Sequence, residues 1–278
     1  MIYPIKTFVI NLDRSIENYN HQRPYLESLG LDVYRFQAID GSKDEHLQYR
    51  HIVDTIYYEL VPKNIISASL SHTLVCKYIQ SLIQNGNTDP YFLILEDDAY
   101  PLYNKQQFHK NVENTIRDIH TIDNEWDIIA LHIDGPCSDF LNTCKENYLI
   151  SLTSGSLAAY IISRNGVIKL ANETIFWYPD VMTSTNNKYK KYKSKINLFW
   201  TDEKNSNSRE NVDTQYIEKI LNNFIILKGE KTWNHLLNYK ALRIPIIKKD
   251  VTYYNMFLFV CVIIILFIIL FYRKYNYL

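Results

Sequence analysis

Glycine and proline are scarce, 7 and 8 among 278 residues. That excludes collagen-like and low-complexity chains and leaves no glycine-rich loop to cradle a phosphate. Cysteine is scarcer still, and Cys76, Cys137, Cys144 and Cys261 show no metal-ligand spacing and are too few for a disulfide scaffold. Cys76 falls in an amphipathic stretch and Cys261 in an apolar tail. Two readings stay open: a Cys137–Cys144 disulfide, or four reduced thiols on a chain facing the cytosol. Neither charge sign is in excess, since 30 Lys and Arg offset 30 Asp and Glu. A dedicated nucleic-acid binder needs a basic face to neutralise phosphates, so no nucleic-acid partner is expected. The N-terminus also lacks a cationic region followed by an apolar signal segment.

What is present is a chain rich in core-forming residues, 47% hydrophobic and 22% charged, enough for one large domain or two small ones. One long apolar run stands out. Met256 to Tyr272 reads MFLFVCVIIILFIILFY, between Lys248-Lys249 and Arg273-Lys274. About 17 uncharged residues is the short end of a membrane span, and Tyr253 and Tyr254 suit the interface. The expectation is a domain over residues 1–250 and a single-pass C-terminal anchor over 251–278. Insertion of so late a segment follows synthesis and leaves the domain in the cytoplasm. Basic residues at both ends leave the positive-inside rule silent on orientation.

Short β-branched and apolar runs at Lys6–Leu12, Val33–Ala38, Tyr91–Leu95, Trp126–Leu131 and Tyr160–Ile162 read as strands. Helical spacing covers Asp13–Leu29, Ser67–Gln84 and Arg164–Asn172. The first of these has Ser15 as N-cap, Gly30 as stop and a kink or split at Pro24. Strands alternating with helices predict an α/β fold, with helices packed on a sheet and ligands beyond the carboxyl ends of its strands. The unbroken apolar run at Tyr91–Leu95 predicts a central strand, buried on both faces. The polar stretch Thr183–Asp213 reads as a long surface loop, with Ile196, Leu198, Phe199 and Trp200 as a partial apolar island. Its lysines 188, 190, 191, 193 and 195 read as a solvated charge run, or as a contact for an acidic acceptor or anionic headgroups.

Asp40 and the triplet Glu96-Asp97-Asp98 fall at strand ends. Three consecutive carboxylates after an apolar strand are costly unless a cation sits among them, and oxygen ligands suit Mn²⁺ or Mg²⁺. Alternation along a strand lets Glu96 and Asp98 face one site while Asp97 faces elsewhere. Such a pair can hold a metal that bridges a nucleotide diphosphate and stabilises its departure. A solvated strand end explains the triplet equally well.

Four segments, in order, carry a resemblance to glycosyltransferase family 25, which includes lipooligosaccharide transferases and collagen galactosyltransferase-like proteins. They are Phe8-Val9-Ile10-Asn11-Leu12-Asp13-Arg14-Ser15; Arg35-Phe36-Gln37-Ala38-Ile39-Asp40-Gly41; Ser69-Leu70-Ser71-His72, followed by Leu93-Ile94-Leu95-Glu96-Asp97-Asp98; and Gly155 to Ser163 with Gly166 and Leu170. The resemblance covers Phe8 to about Asp180. It implies a GT-A-like fold (a mixed, mainly parallel sheet with helices on both faces) and a nucleotide-sugar donor such as a UDP-hexose. It further implies a glycan or protein acceptor, a divalent metal and inversion at the anomeric carbon. On that resemblance Asp180 is the general-base candidate, otherwise a loop or N-cap aspartate. Asn11, Asp13 and Arg14 lie where base and ribose would bind, and Asp40 can accept from a ribose hydroxyl or base N–H. Ser71 and His72 are expected to start a helix turn facing a phosphate. Glu96, Asp97 and Asp98 are the metal candidates. The alternative is an inactive, membrane-anchored module that keeps the fold to bind a sugar or a partner.

The apolar run generates the first prediction. The full chain should partition with membranes or detergent, and deletion of residues 255–278 should release a soluble, folded protein. Full-length protein that stays in the soluble fraction without detergent contradicts the anchor.

Overall fold

The structure, a computed structural model, describes residues 5–132, 156–185, 188–201, 240–244, 249–252, 256, 258–261 and 263–264. The chain divides into two compact units, the first Met1–Tyr58 with Lys63–Asn205, the second Glu59–Pro62 with Ser206–Leu278.

The first unit is built on a six-stranded sheet. Its strands are β1 (Lys6–Asn11), β2 (Asp32–Gln37), β3 (Tyr91–Glu96), β5 (Ile128–His132), β6 (Ser156–Ser163) and β7 (Lys191–Lys193), in the order β2-β1-β3-β6-β5-β7. β1 pairs parallel with both β2 and β3, and β5 pairs parallel with β7. β6 alone runs against its neighbours β3 and β5. The sheet is therefore mixed and largely parallel, and β3 is central as expected. Its residues Phe92 to Leu95 are fully buried, which matches a strand covered on both faces.

Alternation along the strands sorts their side chains into two cores. On one face Val9, Leu93, Leu95, Ile129 and Ile161 meet Leu26 of α1 (Ile16–Ser28) and Phe108, Val112 and Ile119 of α4 (Lys105–Ile122). On the other, Phe8, Ile10, Phe92, Ile94, Tyr160 and Ile162 meet Val75, Cys76 and Ile79 of α3 (Lys63–Gln84) and Val167 and Leu170 of α5 (Arg164–Ala171). Local chemistry starts and stops these helices. Asn104 and Ser163 cap α4 and α5 by accepting from Gln107 N and Gly166 N, each at 3.1 Å. Gly30, at φ +77°, closes α1 in the left-handed conformation that a Cβ disfavours.

Several expectations are corrected. α1 runs unbroken through Pro24, which lies on its exposed side where water can serve the Asn20 carbonyl left without a donor. Ser15 makes no side-chain cap. α3 begins at Lys63, four residues before Ser67. The largest correction falls on residues 183–201, expected to be a surface loop. Here β7 joins the central sheet, while β8 (Phe199–Thr201) pairs antiparallel with β4 (Ala99–Pro101). Leu198 and Phe199 are fully buried, whereas Ile196 and Trp200 are exposed. The lysines are mostly not a free solvated run. Lys188 pairs with Glu173 at 2.6 Å, Lys190 with Asp123 and Glu125 at 3.1 and 3.0 Å, and Lys191 is buried.

In the second unit, β9 (Lys240–Ile244) and β10 (Lys249–Thr252) pair antiparallel, with a register shift between Val251 and Thr252. Of the run expected to be an anchor, residues 256, 258–261 and 263–264 are helical and the remainder lies outside the described residues. Among the described residues no helix is long and apolar enough to cross a membrane. Cys76 and Cys261 are free; Cys137 and Cys144 lie outside the described residues.

Gly166 fixes how closely α5 approaches the sheet. A Cβ there would lie 2.4 Å from Asp127 O and 2.8 Å from Ile162 Cγ1. Because the nearest atom is main chain, Gly166→Ala is predicted to destabilise the protein by about 1–3 kcal/mol. Chemical denaturation checks this, and an unchanged midpoint contradicts the packing.

Candidate active site

The acidic triplet closes β3. Glu96 ends the strand, while Asp97 and Asp98 form the turn that leads into β4. Strict in-out alternation therefore does not apply to them, contrary to the expectation, and the three carboxylates diverge. Gln22 of α1 braces the turn from below by donating to Glu96 O at 2.8 Å and to Ala99 O at 2.5 Å.

Asp97 faces β1. Its Oδ2 accepts from Asn11 Nδ2 at 2.6 Å, and the same amide donates to Ser15 O at 2.8 Å. Burial pushes the Asp97 carboxyl up to about 6; the bond from Asn11 opposes this, and the charge on Glu96 adds to it. Asp98 is driven well above the ordinary carboxylate range, first by burial, then by Glu96 and Asp97, with His132 acting in the opposite direction. Its Oδ1 is buried and has no hydrogen-bond partner. Glu96 turns towards α3. His72 Nε2 lies 3.3 Å from Glu96 Oε1, and Nδ1 lies 3.0 Å from the Tyr160 hydroxyl. A neutral imidazole satisfies both when Tyr160 donates to Nδ1 and Nε2–H donates to Glu96.

A second polar network lies at the ends of β1 and β2. Arg35 donates to Asn11 Oδ1 at 2.7 Å and to Asp13 Oδ1 at 2.6 Å, and Gln37 donates to Asp13 Oδ2 at 2.8 Å. Beyond β2, the buried Asp40 accepts from Ser42 N and Oγ at 2.9 and 2.6 Å and from Arg14 Nε at 3.1 Å. Burial raises the Asp40 carboxyl, but the Ser42 bonds and the Arg14 guanidinium outweigh it and hold it below its ordinary value. Asp40 is thus a fixed anion beside a half-exposed guanidinium, an arrangement able to meet hydroxyl and N–H groups of a nucleoside.

Ser71 and His72 are the ninth and tenth residues of α3, not the start of a helix turn. Their amides sit in the interior of the helical ladder, where no N–H is left for a phosphate. Ser71 Oγ donates to Ser67 O at 2.7 Å and accepts from Ile39 N at 2.9 Å, which ties the Asp40 turn to α3. Asp180 lies in the first turn of α6 (Pro179–Thr185), a helix that packs against α3 and β6. The preceding loop is held by a parallel bridge from Val53 to Ile175 and by Ser69 Oγ donating to Trp177 O at 2.5 Å. Burial raises the Asp180 carboxyl; Lys191 and His72 oppose this, and Glu96 reinforces it. Asp180, Glu96 and His72 therefore share one electrostatic environment.

Sequence reasoning missed Tyr160, Gln22, His132 and Lys191. His132 ends β5, with Nδ1 3.0 Å from Phe199 O and Nε2 3.3 Å from Thr201 Oγ1. The rule that places ligands beyond strand ends finds it too. Gln22 and Tyr160 carry no local signal, because their roles depend on which elements the topology brings together.

The donor set suits a hard cation: three half-buried carboxyls, one with a buried, unpartnered oxygen. Among the described residues no group of three or more His, Cys, Asp or Glu side chains is arranged to hold a metal unaided. Two carboxylates completed by phosphate oxygens are what Mg²⁺ and Mn²⁺ commonly use with nucleotides.

The profile of glycosyltransferase family 25 (LPS biosynthesis protein) matches residues 4–186. No curated protein matches the chain. Among solved structures, a glycosyltransferase involved in the glycosylation of the major capsid of PBCV-1 is similar at 12% identity, with a TM-score of 0.30. The match covers 60% of this chain and 63% of that one.

The raised Asp97 carboxyl gives a signed prediction for the metal-free protein. With a folded value near 6 against an ordinary 3.8, the folded state holds more protons than the unfolded state between those values. Stability in EDTA should fall as pH rises through that window and stay lower above it. Asp97→Asn should flatten the slope and add about 1–2 kcal/mol at pH 7. An unchanged slope, read by denaturation at each pH, contradicts the assigned environment.

Proposed function

The chain belongs to glycosyltransferase family 25, and we propose that it transfers a hexose from a nucleotide-sugar donor, such as a UDP-hexose, to a hydroxyl of a glycan or protein, with inversion. The observation that carries this reading is the convergence of the family-like segments. Asn11 from β1, the triplet from β3 and His72 from α3 meet through hydrogen bonds, with Asp180 in the same electrostatic environment.

In this reading the nucleoside lies along the ends of β1 and β2, where Asp40, Arg14, Asp13 and Arg35 offer fixed charges to hydroxyls and base edges. The diphosphate lies against the β3 turn. Asp98, with Asp97 or Glu96, would hold Mn²⁺ or Mg²⁺, which when bound supplies positive charge to the departing diphosphate. Asp180 as carboxylate takes the proton of the acceptor hydroxyl. The acceptor oxygen forms its bond to the anomeric carbon as the bond to the diphosphate oxygen breaks, and that oxygen leaves with the electron pair. Attack opposite the leaving group inverts the centre. A carboxyl raised by burial is a stronger base than a solvated one, and a nearby cation favours its charged form. His72, wedged between Tyr160 and Glu96, keeps Glu96 oriented. On the strength of the apolar run at 256–272, the enzyme works at a membrane.

Asp98→Asn removes one charge at nearly constant shape and tests the reading. The affinity of a UDP-sugar in the presence of Mn²⁺ should fall tenfold or more, about 1.4 kcal/mol upward, while stability without metal rises because a buried repulsion is gone. Calorimetric binding and thermal unfolding read both. Unchanged affinity with lower stability contradicts the site. Hydrolysis of the donor by wild-type protein separates a transferase from an inactive module of the same fold.

A further inference from the structure

Lysine is among the side chains least often buried, because its ammonium loses water that little in a protein interior replaces. Lys191 is buried at 4% exposure. It opens β7, opposite Ile128 of β5, and its side chain reaches α6. Its Nζ donates to Ser184 Oγ at 2.9 Å, to Thr183 Oγ1 at 3.2 Å and to the main-chain oxygen of Asp180 at 3.4 Å. Thr183 Oγ1 in turn donates to Pro179 O at 2.9 Å, so one ammonium is bonded along the length of the helix that carries Asp180. Two short segments, far apart in role, are fastened by this contact: an edge strand of the sheet and the helix bearing the base candidate.

We propose that Lys191 is a positioning residue for this site: its buried ammonium, bonded to the Asp180 main-chain oxygen and to the Thr183 and Ser184 hydroxyls, fastens α6 to β7 and sets a positive charge beside the base candidate. The proposal rests on the reading of Asp180 as base and extends it to a residue of the lysine-rich stretch. The titratable groups whose charge acts on Asp180 are Lys191 from β7, Glu96 from β3 and His72 from α3. Of these, Lys191 is a cation held in place by three oxygen acceptors. Burial pushes its ammonium down to about 8, and the Asp180 carboxylate pulls the other way, the reciprocal behaviour of two opposite charges sharing one interior. At neutral pH the ammonium is therefore still charged. A merely structural lysine would hold α6 by its hydrogen bonds alone; a charge-setting lysine also changes how Asp180 titrates, and the two are separable.

The test is a titration of the full chain labelled with ¹³C at aspartate Cγ, in buffer containing EDTA, with Asp180→Asn identifying the resonance. In Lys191→Met the Asp180 midpoint should rise by about one pH unit or more relative to wild type. In Ser184→Ala, which removes one acceptor of Nζ but leaves the charge, it should move far less. No rise in Lys191→Met, or equal shifts in the two variants, overturns the proposal. Should Lys191→Met fail to fold, the lysine ¹³Cε resonance of Lys191 is followed in wild type and Asp180→Asn. Its midpoint should fall when the carboxylate is lost, and an unchanged midpoint overturns the coupling. A second arm follows hydrolysis of UDP-galactose and UDP-glucose with Mn²⁺, where the acid limb should move to higher pH in Lys191→Met. Coupled titration without any donor hydrolysis by wild type defeats the transferase reading and leaves the charge coupling of Lys191 and Asp180 standing. Hydrolysis with an acid limb that Lys191→Met does not move defeats the positioning role alone.

Discussion

Three carboxylates in one turn repel one another, and the fold nevertheless holds them together at the end of a buried central strand. The repulsion is visible in Asp97 and Asp98, both raised above ordinary carboxylate values, first by burial and then by their acidic neighbours. Unopposed, such a turn would open into water. It is kept closed from three sides: Gln22 grips its main chain at both ends, Asn11 holds Asp97, and His72 holds Glu96. Each clamp comes from a different element, α1, β1 and α3. The cost of the acidic turn is thus shared by elements on both faces of the sheet.

The reversed strand β6 supplies the middle of the sheet's link to the site. It lies between β3 and β5 and presents Tyr160 to α3, so that the Tyr160–His72–Glu96 chain runs from the middle of the sheet to its carboxyl end. On the same face α6 brings Asp180, anchored to α3 through Ser69 and to the preceding segment through the Val53–Ile175 bridge. The opposite face contributes stability rather than chemistry, with α1 and α4 packed on Val9, Leu93 and Ile129. β6 and α5 meet at Gly166, which allows the close approach that sets this half of the frame.

Much of this frame is legible in the residues themselves. Continuous apolar runs announce β1, β3 and β5, because strands buried on both faces have no polar side to show. The turn signal Asp40-Gly41 and the triplet Glu96-Asp97-Asp98 announce the strand ends where polar groups gather. What is not legible is whatever depends on partners distant in sequence. Lys191 sits in a run of lysines whose pattern reads as solvated, and only the parallel pairing of β7 with β5 turns it inward. Ser71 and His72 look close to a helix start because the helical spacing is legible only from Ser67, yet α3 begins at Lys63 and carries them into its interior. Asp97 and Asp98 look like an extension of β3, but Gln22, seventy-odd residues away, bends them into a turn.

The central claim is that a nucleotide diphosphate and a divalent cation bind at the carboxyl end of β1 and β3. Hydrogen exchange on the full chain, with and without UDP and Mn²⁺, tests it most directly. The account predicts slower exchange at residues 11–15, 39–42 and 96–99 when both are present, and no such protection in EDTA. Protection that falls elsewhere, or that UDP produces equally without the cation, would contradict it.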